Sequence, residues 1–393
     1  MYDLMYNSIT FMDRLRLAKF VLTADRFTNG PKVREFEAKW SEWLGCKYSL
    51  FVSSGSTANF LLMAAIREMY PDRKKVLLPA CTWVTNVGPV IQLGFEPVFC
   101  DVNLTDFSFD LDGIPKEAPD IVFMTHLLGL AGPLEELKKM YPNALFIEDI
   151  CESHGVSNGT KYGSDSLGAT FSFYFGHHMT TVEGGMVCTN NKELHDLMRL
   201  KRSHGLAREL GSNPKEFLFL TDGYNFRNTE IGAVLGISQL PRLDSIIEHR
   251  RKNYLEFHQW ISNISDVYTP GWHPGNSSFC LPIVFKTRER YLEFVKYLDD
   301  RNIEHRTVVG GNLLRQPFLR HYPCNFPNAD IIHNQGLYLG NSQFLDVSAL
   351  IRDLNPFFNI CPLKMKSESS SAIARLCATL RRFLRGLVKS KAS

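Results

Sequence analysis

Short apolar runs alternate with longer amphipathic segments through residues 1–240 of this 393-residue chain. The runs have the length of buried strands, and the segments between them have the apolar spacing of helices. Strands that alternate with helices pair in parallel, because each helix carries the chain back across the sheet. The pattern therefore predicts an α/β domain with a mostly parallel sheet. The strand candidates are Lys75–Pro79, Pro97–Val102, Ile121–His126 and Ala144–Asp149, and the helix candidates include Ala58–Met69 and Leu134–Tyr141.

A change of pattern near residue 240 indicates a second domain. Pro241 and the charged, helical stretch 242–260 interrupt the alternation of strands and helices. We expect a large domain over residues 1–240, a smaller α/β domain over residues 241–361, and a separate tail. The elements predicted for the smaller domain are a strand at Leu281–Phe285, a helix at Arg288–Asp300, and an extended segment 304–309 that ends at the Gly310-Gly311 turn.

Composition is that of an ordinary soluble enzyme. Charged residues make up 22% of the chain and the formal net charge is +3, too small to give the whole chain a field that attracts nucleic acid. Charged side chains such as Asp3 and Arg14 interrupt residues 1–22, which excludes a signal peptide or a membrane span there. We expect a cytoplasmic protein with no nucleic-acid partner.

One motif, residues 172–185, reads S-F-Y-F-G-H-H-M-T-T-V-E-G-G. It resembles the motif that carries the cofactor-binding lysine in sugar aminotransferases of the DegT/DnrJ/EryC1 type, with His177 at the position of the lysine. The resemblance implies an aspartate-aminotransferase-like fold, fold type I of the pyridoxal-phosphate enzymes. A lysine amine binds that cofactor covalently and transfers a proton, whereas imidazole does only the second. We expect His177 to act as general base and acid beside a non-covalent pyridoxal or pyridoxamine phosphate.

The resemblance also implies contacts for the cofactor phosphate and ring. Gly55, Ser56 and Thr57 form a turn before a helix, where backbone amides and the helix dipole suit a phosphate. Taken alone, this turn is an ordinary helix cap. Trp83 follows a strand and is the candidate for stacking on the pyridine ring, although a large aromatic residue is also typical of the core. Ser172 matches a further phosphate ligand.

Two acidic residues and one asparagine complete the implied site. Asp149 ends a strand candidate and would pair with the pyridine nitrogen, which keeps that nitrogen protonated and makes the ring an electron sink. Glu152 resembles the acidic residue of a dehydratase branch, where aminotransferases have glutamine, and is assigned to the phenolic side of the cofactor. Asn225 matches a phosphate ligand from the neighbouring subunit. The resemblance therefore implies a homodimer.

Segments of the predicted smaller domain, residues 311–317 and 329–335, are similar to nucleotide-sugar 3-dehydratases. With His177, they imply C3 dehydration of a GDP- or CDP-linked 4-keto-6-deoxyhexose, with the cofactor re-aminated by an amino acid such as glutamate. The nine cysteines show no close spacing, and residues 203–222 contain none. We therefore expect neither an iron–sulfur cluster nor another metal site. Val182, in place of the usual glycine, and Ser342, where a histidine is common, depart from the pattern.

Two other functions stay open at this point. The chain would be a nucleotide-sugar aminotransferase if another lysine, such as Lys161 or Lys201, bound the cofactor. It would be a non-catalytic binding or regulatory protein if only the fold and pocket had been retained. The tail, residues 362–393, has eight Lys or Arg and one Glu. Its apolar residues recur at helical spacing, as in a basic amphipathic helix that contacts a membrane surface or a partner. A helix folded back on the body, or a solvated terminus, is the alternative.

Overall fold

A seven-stranded sheet forms the centre of the computed structural model, which describes residues 2–213 and 215–360. Six strands run in the same direction, and only β7 is antiparallel to its neighbours. The prediction of a mostly parallel α/β sheet is therefore confirmed. In the order β1-β7-β6-β5-β4-β2-β3, the strands are Tyr48–Val52, Gly185–Thr189, Gly168–Ser172, Leu145–Asp149, Ile121–Thr125, Lys75–Pro79 and Glu96–Cys100.

Helices cover both faces of this sheet. Alternate residues of β2 point to opposite sides: Val76 and Leu78 belong to one apolar cluster, and Leu77 belongs to another. Burial on both faces explains why the strands read as continuous apolar runs rather than as alternating patterns. The helices are α1 (Phe11–Thr23), α2 (Pro31–Leu44), α3 (Gly55–Met69), α4 (Val84–Gln92), α5 (Leu134–Met140), α6 (Lys192–Arg202) and α7 (Glu230–Gln239).

A second, four-stranded sheet is antiparallel throughout, with the order β10-β11-β9-β8. The predicted strand and helix are both found, as β9 and α9. Where a smaller domain begins and ends stays a prediction. The strands are β8 (Val267–Tyr268), β9 (Cys280–Phe285), β10 (His305–Thr307) and β11 (Gly336–Gly340), and the helices are α8 (Leu243–Ile261), α9 (Arg288–Asp299) and α10 (Pro327–Gln335).

Contacts divide the chain into a unit over Met1–Val347 and a second unit that starts at Ser348. In the second unit the structure describes the end of α11 (Val347–Leu354) and the 3-10 helix Asn355–Phe358. The basic amphipathic helix predicted for residues 362–393 lies outside the described residues. Across residues 2–213 and 215–360, none of the helices combines the length and the apolar character that spanning a bilayer requires.

Candidate active site

A cavity of about 560 Å³ opens at the carboxyl ends of the parallel strands. Asp149 and Ser172, the last residues of β5 and β6, form its floor together with the start of α3. Arg306 from β10 and Tyr338 from β11 line the side formed by the antiparallel sheet. Open parallel sheets bind their ligands at this edge, and the volume suits a cofactor with part of a substrate.

Most of the predicted site residues meet in this cavity, although they come from distant parts of the chain. Thr57 does not line it, because its hydroxyl and amide are both used with Ser54 in the capping box of α3. Asn225 does not line it either, and its side chain accepts a hydrogen bond from Arg227 Nε at 3.0 Å. The predicted residues that do line the cavity are Gly55, Ser56, Trp83, Asp149, Glu152, Ser172 and His177.

Asp149 is a buried carboxylate held by three donors. Its Oδ2 accepts from the side-chain amides of Asn59 and Asn86, each at 2.8 Å, and its Oδ1 accepts from the backbone N–H of Cys151 at 2.9 Å. Asn59 is itself fixed by Thr170, whose hydroxyl donates to the Asn59 carbonyl at 2.6 Å. The two carboxylate oxygens accept all three of these bonds, so the network fixes the direction of the side chain. The sequence interpretation included neither Asn59 nor Asn86.

Glu152 has a different environment. Burial and the nearby charge of Asp149 raise the pKa of Glu152 to about 7. The hydrogen bond that its Oε2 accepts from Leu128 N at 2.9 Å acts in the opposite direction and lowers the pKa in part. A carboxyl group with this pKa is protonated in a large fraction of molecules at neutral pH. Glu152 can therefore donate a hydrogen bond to an oxygen in the cavity, as the amide of a glutamine would.

His177 reaches the cavity from the turn after β6. Its ring lies 5.4 Å from that of Phe279 and 6.2 Å from that of Tyr174, measured between centroids. Its Nδ1 is buried and has no hydrogen-bond partner among the described residues. Burial, together with the charge of Arg250, lowers the pKa of His177 to about 3. The imidazole is therefore neutral at physiological pH and keeps one ring nitrogen unprotonated.

Two further histidines lie behind His177. His154 and His178 are completely buried, with their ring centroids 5.3 Å apart, and His178 Nε2 lies 3.1 Å from the carbonyl oxygen of Ser277. Burial lowers the pKa of both side chains, and Arg250 lowers them further. Arg250 donates to the carbonyl oxygen of Phe279 at 2.8 Å, and its buried Nε has no hydrogen-bond partner among the described residues. Burial and the charge of Arg250 thus oppose protonation of His177.

His154→Phe is expected to reduce the acid sensitivity of folding. Because the pKa of His154 is lowered in the folded state, the unfolded state binds more protons below about pH 6.5, and the free energy of unfolding falls as the pH falls. One such histidine contributes up to about 1.4 kcal/mol per pH unit. Urea denaturation at pH 7 and pH 5 should show this smaller dependence in the variant. The exposed His249→Gln control should match the wild type, and an unchanged slope for His154→Phe would contradict the expectation.

The backbone conformation of Val182 shows why the family usually has glycine at this position. Its φ of +72° lies in the left-handed region, which a β-branched side chain rarely adopts. Glycine adopts this conformation without a steric penalty. The residue lies in the turn between Thr181 and Glu183, whose carbonyl oxygen accepts a hydrogen bond from the Thr181 hydroxyl at 2.8 Å. The chain therefore forms the turn of the motif although valine strains the backbone there.

Comparisons with known proteins agree on one group. Residues 12–349 match the DegT/DnrJ/EryC1/StrS aminotransferase family. The chain is 32% identical over 369 residues to the GDP-4-keto-6-deoxy-D-mannose 3-dehydratase of Yersinia pseudotuberculosis, which covers 86% of this chain and 93% of that one. The structure of E. coli GDP-4-keto-6-deoxy-D-mannose-3-dehydratase with bound hydrated PLP is similar at a TM-score of 0.84 and 27% identity, covering 91% of this chain and 99% of that one. A structure of GDP-4-keto-6-deoxymannose-3-dehydratase with a trapped PLP-glutamate geminal diamine gives the same TM-score and identity, covering 91% and 100%.

Proposed function

The chain belongs to the DegT/DnrJ/EryC1/StrS aminotransferase family, and from this premise we propose that it catalyses the C3 dehydration of a nucleotide-linked 4-keto-6-deoxyhexose with pyridoxal or pyridoxamine phosphate as cofactor. The observation that carries the proposal is His177, a neutral imidazole that lines the cavity at the position of the family lysine. Such a group transfers protons but does not bind the cofactor covalently. The dehydratases similar to this chain support GDP as the nucleotide.

The residues present fit the cofactor. A Cβ atom at Gly55 would lie 2.7 Å from Cβ of Ser172 and 3.0 Å from Sγ of Cys151, so only glycine lets the start of α3 approach the end of β6 this closely. This approach places the first amides of a helix beside a serine hydroxyl, which suits a phosphate. Trp83, 47% exposed at the cavity, is available to stack on the ring, and Asp149 would pair with the ring nitrogen.

When bound, pyridoxamine phosphate supplies an amine for the C4 ketone and an electron sink that allows the C3 hydroxyl to leave. His177 Nδ1 is buried, so Nε2 is the atom that takes up a proton and returns it to the departing oxygen. Glu152 would donate a hydrogen bond on the phenolic side of the ring, and Asp149 would keep the ring nitrogen protonated. Overall the sugar loses one oxygen atom, glutamate becomes 2-oxoglutarate, and ammonia is released.

The positions of the lysines favour dehydration over transamination. Among the described residues, no lysine lines the cavity. Lys161 donates to the carbonyl oxygen of Trp43 at 2.6 Å, and Lys201 lies 2.6 Å from Glu68 and 2.8 Å from Asp222. Both amines are therefore used in contacts outside the cavity. A purely binding role is disfavoured by the intact network around Asp149, which a ligand-binding scaffold would not require.

The product of the reaction tests the function. Purified protein is incubated with pyridoxal phosphate, glutamate and GDP-4-keto-6-deoxymannose, with the CDP-linked sugar in a parallel reaction, and products are identified by mass spectrometry. We expect a glutamate-dependent product that is lighter than the substrate by one oxygen atom. An amino sugar would instead establish an aminotransferase. No turnover with either sugar would favour a binding protein.

The proposal includes a homodimer in which Asn225 of one subunit completes the site of the other. The apolar loop Phe217–Leu220 supports it, because the four side chains are all exposed, with Phe217 at 77%. Neighbouring exposed apolar side chains of this size are typical of an interface. Asn225 follows this loop and does not line the cavity of its own chain. A second copy of the chain would cover the loop and receive Asn225.

Subunit mixing tests this arrangement. Asn225→Ala and His177→Asn are each expected to inactivate the homodimer, the first by about 10-fold to 100-fold because it removes a hydrogen bond to a charged phosphate. In a purified heterodimer of the two variants, one site receives both wild-type residues only if Asn225 acts across the interface. We expect that heterodimer to regain about half of the wild-type activity, since one of two sites is intact. An inactive heterodimer would place Asn225 in the site of its own subunit.

A further inference from the structure

The segment Tyr2–Asn7, here called the N-terminal strap, is bound to the antiparallel sheet at its first residues. Tyr2 forms a parallel bridge with Ile303, and its carbonyl oxygen accepts from Glu304 N at 3.0 Å. The Glu304 side chain then accepts from the backbone N–H of Leu4 at 2.8 Å. Both the backbone and the side chain of Glu304 therefore hold the strap beside β10.

The other end of the strap is anchored as well. Tyr6 packs its ring against Phe344, with centroids 6.2 Å apart. Ser8, which follows the strap, bonds through its hydroxyl to Gln239 at 3.1 Å and through its carbonyl oxygen to Arg242 at 2.9 Å. A segment fixed on both sides has little freedom for the residues between its anchors. Those residues are Leu4 and Met5, and both line the active-site cavity.

Met5 lies directly on the residue before the proposed base. A Cβ atom at Gly176 would be 2.5 Å from Sδ and 2.9 Å from Cγ of Met5. The thioether thus occupies the space that a side chain at position 176 would take, next to His177. The strap also shares the cavity with Arg306 and Thr307 of β10, whereas Asp149 and Ser172, which are proposed to hold the cofactor, end β5 and β6.

We propose that the N-terminal strap is a wall of the sugar subsite and that Met5 contacts the apolar side of the hexose, including its C6 methyl group. The inference rests on the proposed function, which places a 6-deoxyhexose next to His177. The methyl group is the apolar substituent of such a sugar, and Leu4 and Met5 are apolar side chains that face the same space. A flexible, polarizable thioether adapts well to such a contact.

The proposed reaction has two half-reactions, deoxygenation of the nucleotide sugar and re-amination of the cofactor by glutamate. Measuring them separately distinguishes a contact with the sugar from a structural role. In Met5→Ala, kcat/KM for the nucleotide sugar is expected to fall about fivefold to tenfold, the usual effect of removing an apolar contact with a substrate. Reaction with glutamate alone, followed by the change in cofactor absorbance, should stay within about twofold of the wild type, because the smaller amino donor does not reach this wall. Met140→Ala, an exposed methionine outside the cavity, is the matched control and should change neither rate.

A second variant tests the anchor. Glu304→Ala removes the acceptor for Leu4 N, and we expect it to lower kcat/KM for the nucleotide sugar while the glutamate half-reaction stays near the wild type. Met5→Leu keeps an apolar side chain at position 5 and should restore most of the kcat/KM that Met5→Ala loses. An equal loss in both half-reactions would make Met5 a structural residue, and unchanged sugar kinetics would remove the strap from the subsite. If the wild type makes no deoxy sugar, the proposed function fails. In that case, calorimetry measures the affinity of the wild type and of Met5→Ala for the nucleotide sugar. A weaker affinity of Met5→Ala would support the inference, and equal affinities would overturn it.

Discussion

His177→Asn is expected to lower the rate of 3-deoxy sugar formation by about 10³-fold, within the range for loss of a general base. Asparagine fills similar space but has no basic nitrogen, and the described cavity has no lysine to replace it. Asp149, Ser172 and Trp83 are unchanged, so the cofactor should still bind. Single-turnover product formation measures the chemical step, and the cofactor absorbance of the same sample measures occupancy.

The exposed His249→Gln variant controls for the loss of a histidine as such, since the ring of His249 bonds to the carbonyl oxygen of Ser245 in the same helix and does not line the cavity. It should retain full activity. A His177→Asn enzyme within tenfold of the wild type, with the cofactor bound, would show that another group moves the proton. Buried His178 would then be the first residue to examine, because it is next in the chain.

Asp149→Asn is expected to slow both the sugar and the glutamate half-reactions by about 10²-fold to 10³-fold, as when an electrostatic stabiliser is removed from an active site. The substitution removes the charge that would keep the ring nitrogen protonated. The new amide N–H₂ also replaces one acceptor oxygen. In the position of Oδ2 it takes the acceptor from both Asn59 and Asn86, which donate there at 2.8 Å, and in the position of Oδ1 it takes the acceptor from Cys151 N. Stopped-flow absorbance with each substrate in turn measures the two rates.

Glu230→Gln is the matched control for this variant. Glu230 is also a buried carboxylate, but its oxygens accept from the backbone N–H groups of Lys32 and Val33, and it does not line the cavity. We expect it to lower the free energy of unfolding by about 1–3 kcal/mol, because the hydrogen bonds of α2 weaken, while both half-reactions stay near the wild type. Selective loss of only one half-reaction in Asp149→Asn would argue against a role on the cofactor.

The central sheet could be predicted because burial on both faces leaves a local signal. β2 has the predicted bounds. β5 ends at Asp149 as predicted, and this end places the carboxylate at the edge of the sheet where ligands bind. Strands β1, β6, β7, β8 and β11 were not predicted. Of these, β6, β7 and β11 each begin with glycine and contain small or aromatic residues, so their extended conformation depends on the neighbouring strands more than on their own composition.

The residues of the cavity could be predicted where the local sequence carries a signal. His177, Asp149 and Glu152 lie in motifs that can be read locally. Asn59 and Asn86 join Asp149 only after α3 and α4 pack on the sheet, and the available signal was an amide in an otherwise apolar helix face. The strap left no signal at all, because Leu4 and Met5 are ordinary apolar residues whose place is set by anchors some three hundred residues away.

Reduction with borohydride followed by intact-protein mass spectrometry tests the central claim most directly, namely that His177 acts in a site without a covalent link between chain and cofactor. The protein is incubated with pyridoxal phosphate, reduced, denatured and weighed. The account predicts the mass of the unmodified chain, because only a lysine linkage yields a stable reduced adduct. An adduct of one cofactor per chain, mapped to a lysine such as Lys161 or Lys201, would contradict it and favour an aminotransferase.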